Sequence, residues 1–469
     1  MKEQLEPAII VIFGITGDLA GRYLLPSLYH LIKDDLLPEH TEIVGVTRRD
    51  VSVSDLLTTT ELCVMETNNV CDPAVLKRMQ NTLSMYKMDL DSDNDYDQLK
   101  TYLDDVETKH GVCMNRLYYL SIPPSVYRPI VGLLGQHGLN ASCPHGKAAT
   151  RLLVEKPFGH DLTSATELIE ETGKQFREEQ IYRIDHYLAK ETVQNILTFR
   201  LHNPIFEALW NNRYIASIDI SATETIGIEG RATFYEQTGA LRDLIQSHLL
   251  QLLAATTMER PTSMSSETIH ATRLKLFEAI EPMPHDMVTE RTVRGQYESY
   301  RDEVHNPTST IETYAAIKLF IQNSRWEDTP ITIRTGKALN EKATTISVTF
   351  KHPEGATHHP NVLTFAVQPR EGISLDLYVK RPGFDNDMQA VPMDFRYERN
   401  FGDANGHPNA YERVLIDAVR GDRTLFATGS EVLASWRIIQ PILDVWAENG
   451  TNIQVYKKGS FGLDFPQGK

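Results

Sequence analysis

The stretch Ala8-Ile-Ile-Val-Ile-Phe13-Gly14-Ile-Thr-Gly17-Asp-Leu-Ala-Gly21 decides the fold of the first half of the chain. Its first six residues form an apolar, β-rich run, and a helical pattern extends over Asp18–Ile32. Glycines between a strand and a helix let the backbone turn sharply and approach a pyrophosphate, which then meets the free N–H groups of the helix. The spacing is a variant of G-x-G-x-x-G, and a plain strand–helix turn is the alternative interpretation.

Short apolar runs alternate with helical patterns through the rest of this half. Further strands are expected at Glu42–Val46, Arg116–Ile122 and Arg151–Val154, and the last two are each followed by a helical stretch. Strand–helix alternation predicts a parallel, doubly wound sheet. The first half is therefore expected to be an α/β, Rossmann-like domain.

The second half has a different pattern. Apolar and polar residues alternate over Ile346–Phe350, Leu363–Val367 and Ile373–Val379. Successive strands with one apolar face predict a large, mainly antiparallel sheet. The pattern changes near residue 184, so we expect an α/β domain over residues 1–184 and an α+β domain over residues 185–469.

Three helices are expected in the second domain. Leucines from Leu241 to Leu253 fall on one helical stripe. Two further helices are predicted at Ala410–Val419 and Glu431–Trp446, and Ser430 is the expected N-cap of the latter.

Composition excludes several classes of function. The chain has 469 residues, with 47 Lys plus Arg against 63 Asp plus Glu and a formal net charge of −16. This acidic balance argues against nucleic-acid and anionic-membrane partners, which need a basic surface. No apolar run approaches the length of a membrane span, no metal-ligand spacing is present, and a cytoplasmic protein is expected. Four cysteines, at positions 63, 71, 113 and 143, lack C-x-x-C spacing and are expected to be reduced thiols.

Two charged elements follow predicted strands. Arg48 ends the second strand, where an arginine suits the 2′-phosphate of NADP and a carboxylate would suit NAD. Glu155 and Lys156 follow the strand Arg151–Val154, so they point into the crevice where doubly wound folds bind ligands. Both elements could also be solvated surface charges.

The densest group of polar residues is Arg183-Ile-Asp185-His186-Tyr187-Leu-Ala-Lys190-Glu191. In an extended stretch Asp185 and His186 would face opposite ways, so that Asp185 could orient a second histidine while its neighbours bind an anion. A polar linker between domains is the alternative. A third group, Thr335–Lys342, offers two lysines for a phosphate, or for solvent.

His248 lies on the leucine stripe, where a histidine is more often a core residue than a base. Asp243 precedes it by five residues, which is about 140° around an α-helix. The two are therefore expected to form a poor local dyad, with the partner carboxylate of His248 coming from elsewhere.

Taken together, these motifs resemble the glucose-6-phosphate dehydrogenase family. The elements that carry the resemblance occur in the family's order from Gly14 to about Arg413: G-x-x-G-D-L-A, I-P-P-S-V-Y, E-K-P-F-G, R-I-D-H-Y-L-x-K-E, R-D-L-I-Q-S-H-L-L-Q, S-R-W-E, G-K-A-L-N-E and N-A-Y-E-R. Ala189 departs from the pattern, because the family has glycine there. Alanine adds a methyl group and disfavours a positive φ, which affects the expected fine geometry of the substrate site.

The resemblance implies oxidation of glucose 6-phosphate to 6-phosphogluconolactone with NADP⁺ as hydride acceptor. His248 matches the family's general base and Asp185 the carboxylate that orients it. The implied substrate-binding residues are Lys156, His186, Tyr187, Lys190, Glu224, Asp243, Lys337, Lys342 and Gln368. The implied coenzyme-binding residues are Gly14, Ile15, Thr16, Gly17, Asp18, Leu19, Ala20, Gly21, Arg48, Met88, Asp89, Tyr127 and Lys156.

The resemblance also implies a homodimer or homotetramer that associates through the large sheet. Two other functions are compatible with the motifs: a catalytically silent sensor of sugar phosphate or NADP, and an oxidoreductase for another sugar phosphate. A sensor need not keep the base, so His248, Asp185 and Lys190 argue against the first of these.

Overall fold

The structure is a computed structural model that describes residues 5–58, 72–143, 148–355, 358–402, 408–448 and 453–466. The strands are β1 (Ala8–Phe13), β2 (Thr41–Thr47), β3 (Leu83–Lys87), β4 (Asn115–Leu120), β5 (Thr150–Glu155), β6 (Ile181–Ile184), β7 (Ile215–Thr223), β8 (Thr292–Tyr297), β9 (Tyr314–Leu319), β10 (Ile331–Gly336), β11 (Ala343–Phe350), β12 (Val362–Gln368), β13 (Gly372–Lys380), β14 (Met388–Arg396), β15 (Phe426–Ala427) and β16 (Gln454–Tyr456).

The α-helices are Leu25–Lys33, Pro73–Thr82, Asp93–His110, Tyr127–Gln136, Leu162–Gln175, Glu191–His202, Pro204–Leu209, Ala232–Ala240, Leu250–Thr257, Ser266–Glu278, Val288–Arg291, Tyr300–Glu303, Tyr397–Phe401, Ala410–Arg420 and Gly429–Glu448. Two stretches, Ala20–Leu24 and Leu241–Leu249, are π-helical, and short 3₁₀ turns span Pro124–Val126, Glu178–Gln180 and His285–Met287. No helix in the described ranges has the length and apolarity that crossing a bilayer requires.

The first sheet confirms the predicted doubly wound architecture. Its order is β15-β6-β5-β4-β1-β2-β3, and β1 to β6 are parallel. All six residues of β1 are buried, as expected for an apolar central strand covered on both faces. Because β1 pairs with both β2 and β4, the chain changes direction across the sheet between β1 and β4. A ligand crevice is expected there, at the carboxyl ends of the strands.

The second half of the chain returns to this sheet. Strand β15 pairs antiparallel with β6. Helix Ala410–Arg420 packs on helix Leu25–Lys33, where His30 Nδ1 lies 2.6 Å from Glu412 Oε1. The two halves of the sequence therefore share one core.

The second sheet is mainly antiparallel, as predicted. Its order is β14-β13-β12-β11-β7-β10-β9-β8-β16, and the parallel pairs are β7 with β10 and β8 with β16. In β11 and β12 buried residues alternate with partly buried ones, which matches the predicted apolar face. Strand β14 at the edge is largely exposed.

Two local expectations are wrong. Ser430 does not cap the helix Gly429–Glu448. Instead, Glu431 N–H donates to Thr428 Oγ1 over 3.2 Å while Thr428 N–H donates to Glu431 Oε2 over 2.6 Å, a reciprocal capping box that begins two residues earlier. Cys113 and Cys143 form a disulfide, because the turn after helix Asp93–His110 meets the loop before β5. Cys63 and Cys71 lie outside the described residues.

Candidate active site

A buried histidine–aspartate pair lies where the two halves of the chain meet. Asp185 follows β6, and His248 lies on the π-helix Leu241–Leu249. Nδ1 of His248 lies 2.6 Å from Oδ1 of Asp185, and the two side chains are only 1% and 5% exposed. An ionised carboxylate can only accept, so Nδ1 donates to Asp185 and the lone pair of the imidazole is on Nε2. This is the tautomer that a general base requires.

The chain turns sharply after Asp185, which corrects one prediction. The N–H of Leu188 donates to the carbonyl of Asp185 over 3.0 Å, and the N–H of Tyr187 donates to Asp185 Oδ1 over 3.0 Å. The stretch is therefore not extended, although Asp185 does hydrogen-bond a second histidine, His248, as expected. The ring centre of His186 lies 4.5 Å from that of His248. The ring of Tyr187 stacks on the ring of His248, with 4.4 Å between their centres.

Burial and charge set the protonation of this group. Burial lowers the pKa of His248, and the attraction of Asp185 opposes that effect without overcoming it. Burial alone would raise the pKa of Asp185, but the charge and hydrogen bond of His248 hold it below its ordinary value. Burial and the neighbouring His248 lower the pKa of His186 to about 3. At neutral pH both imidazoles are therefore uncharged and Asp185 is ionised.

Asp243 lies on the same π-helix as His248. In a π-helix the hydrogen bond joins residues i and i+5, so residues five apart lie one turn apart on nearly the same face. The charge of Asp243 raises the pKa of His248 and that of His248 lowers the pKa of Asp243, which places them within electrostatic reach of each other. The carboxylate that hydrogen-bonds the imidazole is nevertheless Asp185, which confirms the expectation that the partner of His248 comes from elsewhere in the chain.

Lysines and carboxylates alternate around the pair. Lys156, at the carboxyl end of β5, donates to the main-chain carbonyl of Asp243, and its Nζ lies 3.3 Å from Oδ1 of that residue. Lys337, after β10, forms an ion pair with Glu224, after β7, and its Nζ lies 5.3 Å from the ring centre of Tyr235. The peptide bond between Lys156 and Pro157 is cis. These predicted substrate residues therefore form two ion pairs, and the charges of both lysines lower the pKa of Asp243.

A second basic group lies beside Tyr187. Lys190 donates to Oε1 of Gln368, and its Nζ lies 4.7 Å from the ring centre of Tyr187. Burial, and to a lesser degree the charge of the exposed Lys342, lowers the pKa of Lys190. The predicted anion-binding residues thus converge. Gln368 in turn donates to Thr344 Oγ1 over 3.1 Å, and the sequence analysis does not single out Thr344.

Ala189 fits its position without backbone strain. The described non-glycine residues with a positive φ do not include it. Its carbonyl accepts a hydrogen bond from Nε2 of Gln194 over 3.1 Å, and its side chain is buried. The alanine at the family's glycine position therefore leaves the turn between Asp185 and Lys190 intact.

The glycine-rich turn has the form of a dinucleotide cradle. Gly14 has φ of +79°, and a Cβ there would lie 2.4 Å from the carbonyl oxygen of Ser121. A Cβ on Gly17 would lie 3.0 Å from the carbonyl oxygen of Gly14. The segment Ile15–Gly21 thus leads tightly from β1 into helical residues beginning at Asp18, whose first N–H groups face the crevice expected of this fold.

The remaining predicted coenzyme residues lie along the same edge of the sheet. Arg48 is exposed directly after β2, where Thr47 Oγ1 lies 3.4 Å from Thr16 Oγ1. Met88 and Asp89 follow β3; the side chain of Met88 is buried and that of Asp89 is exposed. Tyr127 is buried, with its hydroxyl directed at the carbonyls ending β4 and β5. Met88 and Tyr127 are therefore less accessible to a ligand than Arg48 is.

Glu155, expected to point into the crevice together with Lys156, is the last residue of β5 and is hydrogen-bonded. Tyr119 donates to its Oε1 over 2.5 Å. Burial, together with the nearby charge of Asp185, raises the pKa of Glu155 to about 7, although Lys156 and Tyr119 oppose the shift.

A Rossmann-like sheet whose carboxyl edge meets a hydrogen-bonded His–Asp pair among lysines defines a class: a nicotinamide-dependent dehydrogenase with an anionic substrate. The comparisons with known proteins agree. Residues 11–195 match the model of the glucose-6-phosphate dehydrogenase NAD-binding domain, and residues 197–465 match that of the C-terminal domain. The chain belongs to the glucose-6-phosphate dehydrogenase family.

Individual relatives span nearly the whole chain. A glucose-6-phosphate 1-dehydrogenase of Chlamydia pneumoniae is 39% identical over 480 residues, covering 97% of this chain and 93% of the relative. That of Bacillus subtilis is 39% identical and covers 98% and 96%. A solved glucose-6-phosphate dehydrogenase in complex with glucose 6-phosphate superposes with a TM-score of 0.91 at 33% identity, covering 99% of this chain and 97% of that one.

Proposed function

We propose that this chain oxidises β-D-glucose 6-phosphate at C1 to 6-phosphoglucono-1,5-lactone with NADP⁺, the first step of the oxidative pentose phosphate pathway. Family membership supports the activity, and one observation carries the assignment of the base: Nδ1 of His248 lies 2.6 Å from Asp185, which leaves Nε2 as acceptor beside the lysines. The cradle at Gly14, which a Cβ would fill, fits a dinucleotide.

The chemistry of the chain is that of a base with its orienting carboxylate. Nε2 of His248 removes the proton of the C1 hydroxyl while C1 loses a hydride and becomes a carbonyl carbon. When bound in the cradle, NADP⁺ supplies the acceptor for that hydride. Asp185 holds the ring in the required tautomer and stabilises the imidazolium that forms. Because burial keeps the resting imidazole neutral, the base is ready at neutral pH.

The two groups of lysines would bind different parts of the substrate. Lys190, Lys342 and Gln368 would bind the phosphate, with Tyr187 beside it and the neutral His186 as an N–H donor. Asp243, Glu224 and Lys337 would bind the sugar hydroxyls, and Lys156 would lie between sugar and coenzyme. The ion pairs of Lys156 with Asp243 and of Lys337 with Glu224 support this arrangement, because charges that are already paired orient one another for ligand hydroxyls.

The coenzyme would lie along the carboxyl edge of the first sheet. The segment Gly14–Gly21 would hold its pyrophosphate and Arg48 its 2′-phosphate, with Met88, Asp89 and Tyr127 as flanking contacts. Residues 1–184 would thus form the coenzyme-binding domain. Residues 185–469 would form the domain for substrate binding and self-association.

We also propose a cytoplasmic homodimer or homotetramer that associates through the second sheet. Apolar side chains on the edge strand β14 support this: Met388, Val391 and Met393 are 55%, 40% and 63% exposed. Light scattering should give a multiple of the 53.2 kDa chain mass. The variant Met393→Glu should lower that mass, whereas a monomeric parent chain would contradict the proposal.

The decisive experiment separates turnover from binding. The purified protein should generate NADPH absorbance from glucose 6-phosphate and NADP⁺, and His248→Asn should abolish most turnover while calorimetry shows sugar-phosphate binding largely intact. Equal loss of binding and turnover would contradict the base assignment. Ligand binding by the parent chain without any turnover would instead favour the silent sensor, and a substrate panel would identify another sugar phosphate.

A further inference from the structure

A buried carboxylate outside the proposed site holds the start of the π-helix. The helix Ala232–Ala240 is interrupted at Gly239, whose φ of +70° and ψ of +173° are not helical. The break leaves the first N–H groups of the next helical segment without intrahelical acceptors. Glu312 accepts two of them: its main-chain carbonyl accepts Ala240 N–H over 2.9 Å, and its Oε1 accepts Leu241 N–H over 2.9 Å.

Gly239 and Glu312 are sterically matched. A Cβ on residue 239 would lie 2.5 Å from Oε1 of Glu312, so the glycine supplies both the left-handed backbone and the space that the carboxylate occupies. Glu312 is 3% exposed. Burial raises its pKa, while the Leu241 N–H and the charges of Arg242 and Arg294 oppose that shift.

The segment that carries Glu312 also contacts the loop of Lys337. The carbonyl of the next residue, Thr313, accepts the N–H of Lys337 over 2.9 Å, and Tyr456 OH donates to the carbonyl of Lys337 over 2.7 Å. Residues 312 and 313 therefore connect the helix of Asp243 and His248 to the loop of Lys337.

We propose that Glu312 is a positioning residue: its side-chain oxygen fixes the start of the π-helix and thereby the alignment of Asp243 and His248 on one face. The inference rests on the proposed roles of these two residues. In an α-helix, residues five apart face different directions. A change from π-helical to α-helical winding would therefore point Asp243 away from the imidazole and from Lys156. This position requires a hydrogen-bond acceptor on a side chain of the correct length, so Glu312 acts through its hydrogen bond and not through its charge.

Three substitutions of Glu312 separate the length of the side chain, its hydrogen-bond acceptor and its charge. Glu312→Gln keeps an acceptor at full length, Glu312→Asp keeps the charge on a shorter arm, and Glu312→Met keeps the length without a comparable acceptor. For the Asp and Met variants we expect kcat to fall about 10- to 100-fold and KM for glucose 6-phosphate to rise, with KM for NADP⁺ within about twofold. The Gln variant should remain within about threefold of the parent enzyme.

A readout independent of activity tests the same structure. Amide hydrogen exchange over Ala240–Ile245 should accelerate in the Asp and Met variants but not in the Gln variant. Glu431→Asp is the matched control, because Glu431 is a buried carboxylate that caps another helix outside the site. It should lower the melting temperature and leave kcat unchanged.

The outcomes distinguish this inference from the proposed function. A parent enzyme without turnover would contradict the proposed function, whereas exchange measurements would still test the cap. Parent-like kinetics in folded Glu312→Asp would overturn the positioning role, as would a Gln variant impaired as strongly as the Asp variant. Should Glu312→Met fail to fold, the Gln and Asp variants decide the question between them.

Discussion

Replacing Asp185 with Asn tests the most important contact of the proposed mechanism. The substitution keeps the size of the side chain and removes its negative charge. Asp185 and His248 are both buried, with 2.6 Å between the carboxylate oxygen and Nδ1. Two unit charges about 4 Å apart interact by about 4 kcal/mol at an effective dielectric constant of about 20. The imidazolium that forms when His248 takes the substrate proton would lose about this much stabilisation.

That loss sets the expected magnitude. About 4 kcal/mol corresponds to a fall of about 10³-fold in kcat. An amide at residue 185 can also donate to Nδ1, which would place the proton on Nε2 and remove the acceptor. Steady-state formation of NADPH gives kcat. Binding of NADP⁺, followed by calorimetry, should not change, because Asp185 lies outside the glycine-rich turn.

Asp72→Asn provides the control for this measurement. Asp72 is exposed and caps the helix Pro73–Thr82 by accepting the N–H of Ala74 over 2.7 Å. It should leave kcat unchanged. If Asp185→Asn folds normally and keeps kcat within about tenfold of the parent value, the carboxylate does not stabilise the imidazolium and the argument from charge is refuted.

Four further predictions concern pH, the coenzyme, the phosphate group and the disulfide. Because burial lowers the pKa of His248 from 6.5, kcat/KM should be flat above pH 6.5 and decline only at lower pH. The free energy of unfolding should fall in the same range, because the unfolded chain takes up the proton of this histidine first. A pH–rate profile that breaks above pH 7 would contradict this. Arg48→Ala should raise KM for NADP⁺ by about 10- to 100-fold and that for NAD⁺ far less, and equal effects would exclude a contact with the 2′-phosphate. Thr344→Val frees the amide of Gln368 and should raise KM for glucose 6-phosphate about fivefold at constant kcat, both measured at saturating NADP⁺. Reducing Cys113–Cys143, separated by 30 residues, should cost up to about 3.5 kcal/mol of unfolding free energy in urea titrations, and full reactivity of both thiols without reductant would refute the pairing.

The elements that the sequence predicts are those governed by local pattern. The apolar run Ala8–Phe13 is buried on both faces, and alternation over β11 and β12 matches their buried and partly buried positions. Polar residues that follow parallel strands necessarily share one edge of the sheet, so Lys156 and Asp185 could be expected near each other. The β15 strand could not be expected, because two residues that complete a sheet formed by distant strands carry no periodic signal.

Two features of the site could not be predicted from the local sequence pattern. The angle between Asp243 and His248 follows from the number of residues per turn, and the apolar stripe does not distinguish an α-helix from a π-helix. The π-helical winding depends on a glycine at 239 and a carboxylate at 312, which lie far apart in sequence. Likewise, the turn after Asp185 is fixed by hydrogen bonds to its own backbone and side chain, so the rule for strands did not apply.

The base and its orienting carboxylate are held by elements of different sheets, and this division has a mechanistic consequence. Asp185 is held at the end of β6, whose outer neighbour β15 comes from the second half. His248 lies on a helix that is capped by Glu312, two residues before β9 of the second sheet. Either residue alone would be a buried polar group without its partner, at a cost of several kcal/mol. The 2.6 Å contact therefore requires the two sheets to be correctly placed relative to each other. The pair that would remove the proton thus also helps to hold the coenzyme and sugar-phosphate regions in their mutual orientation.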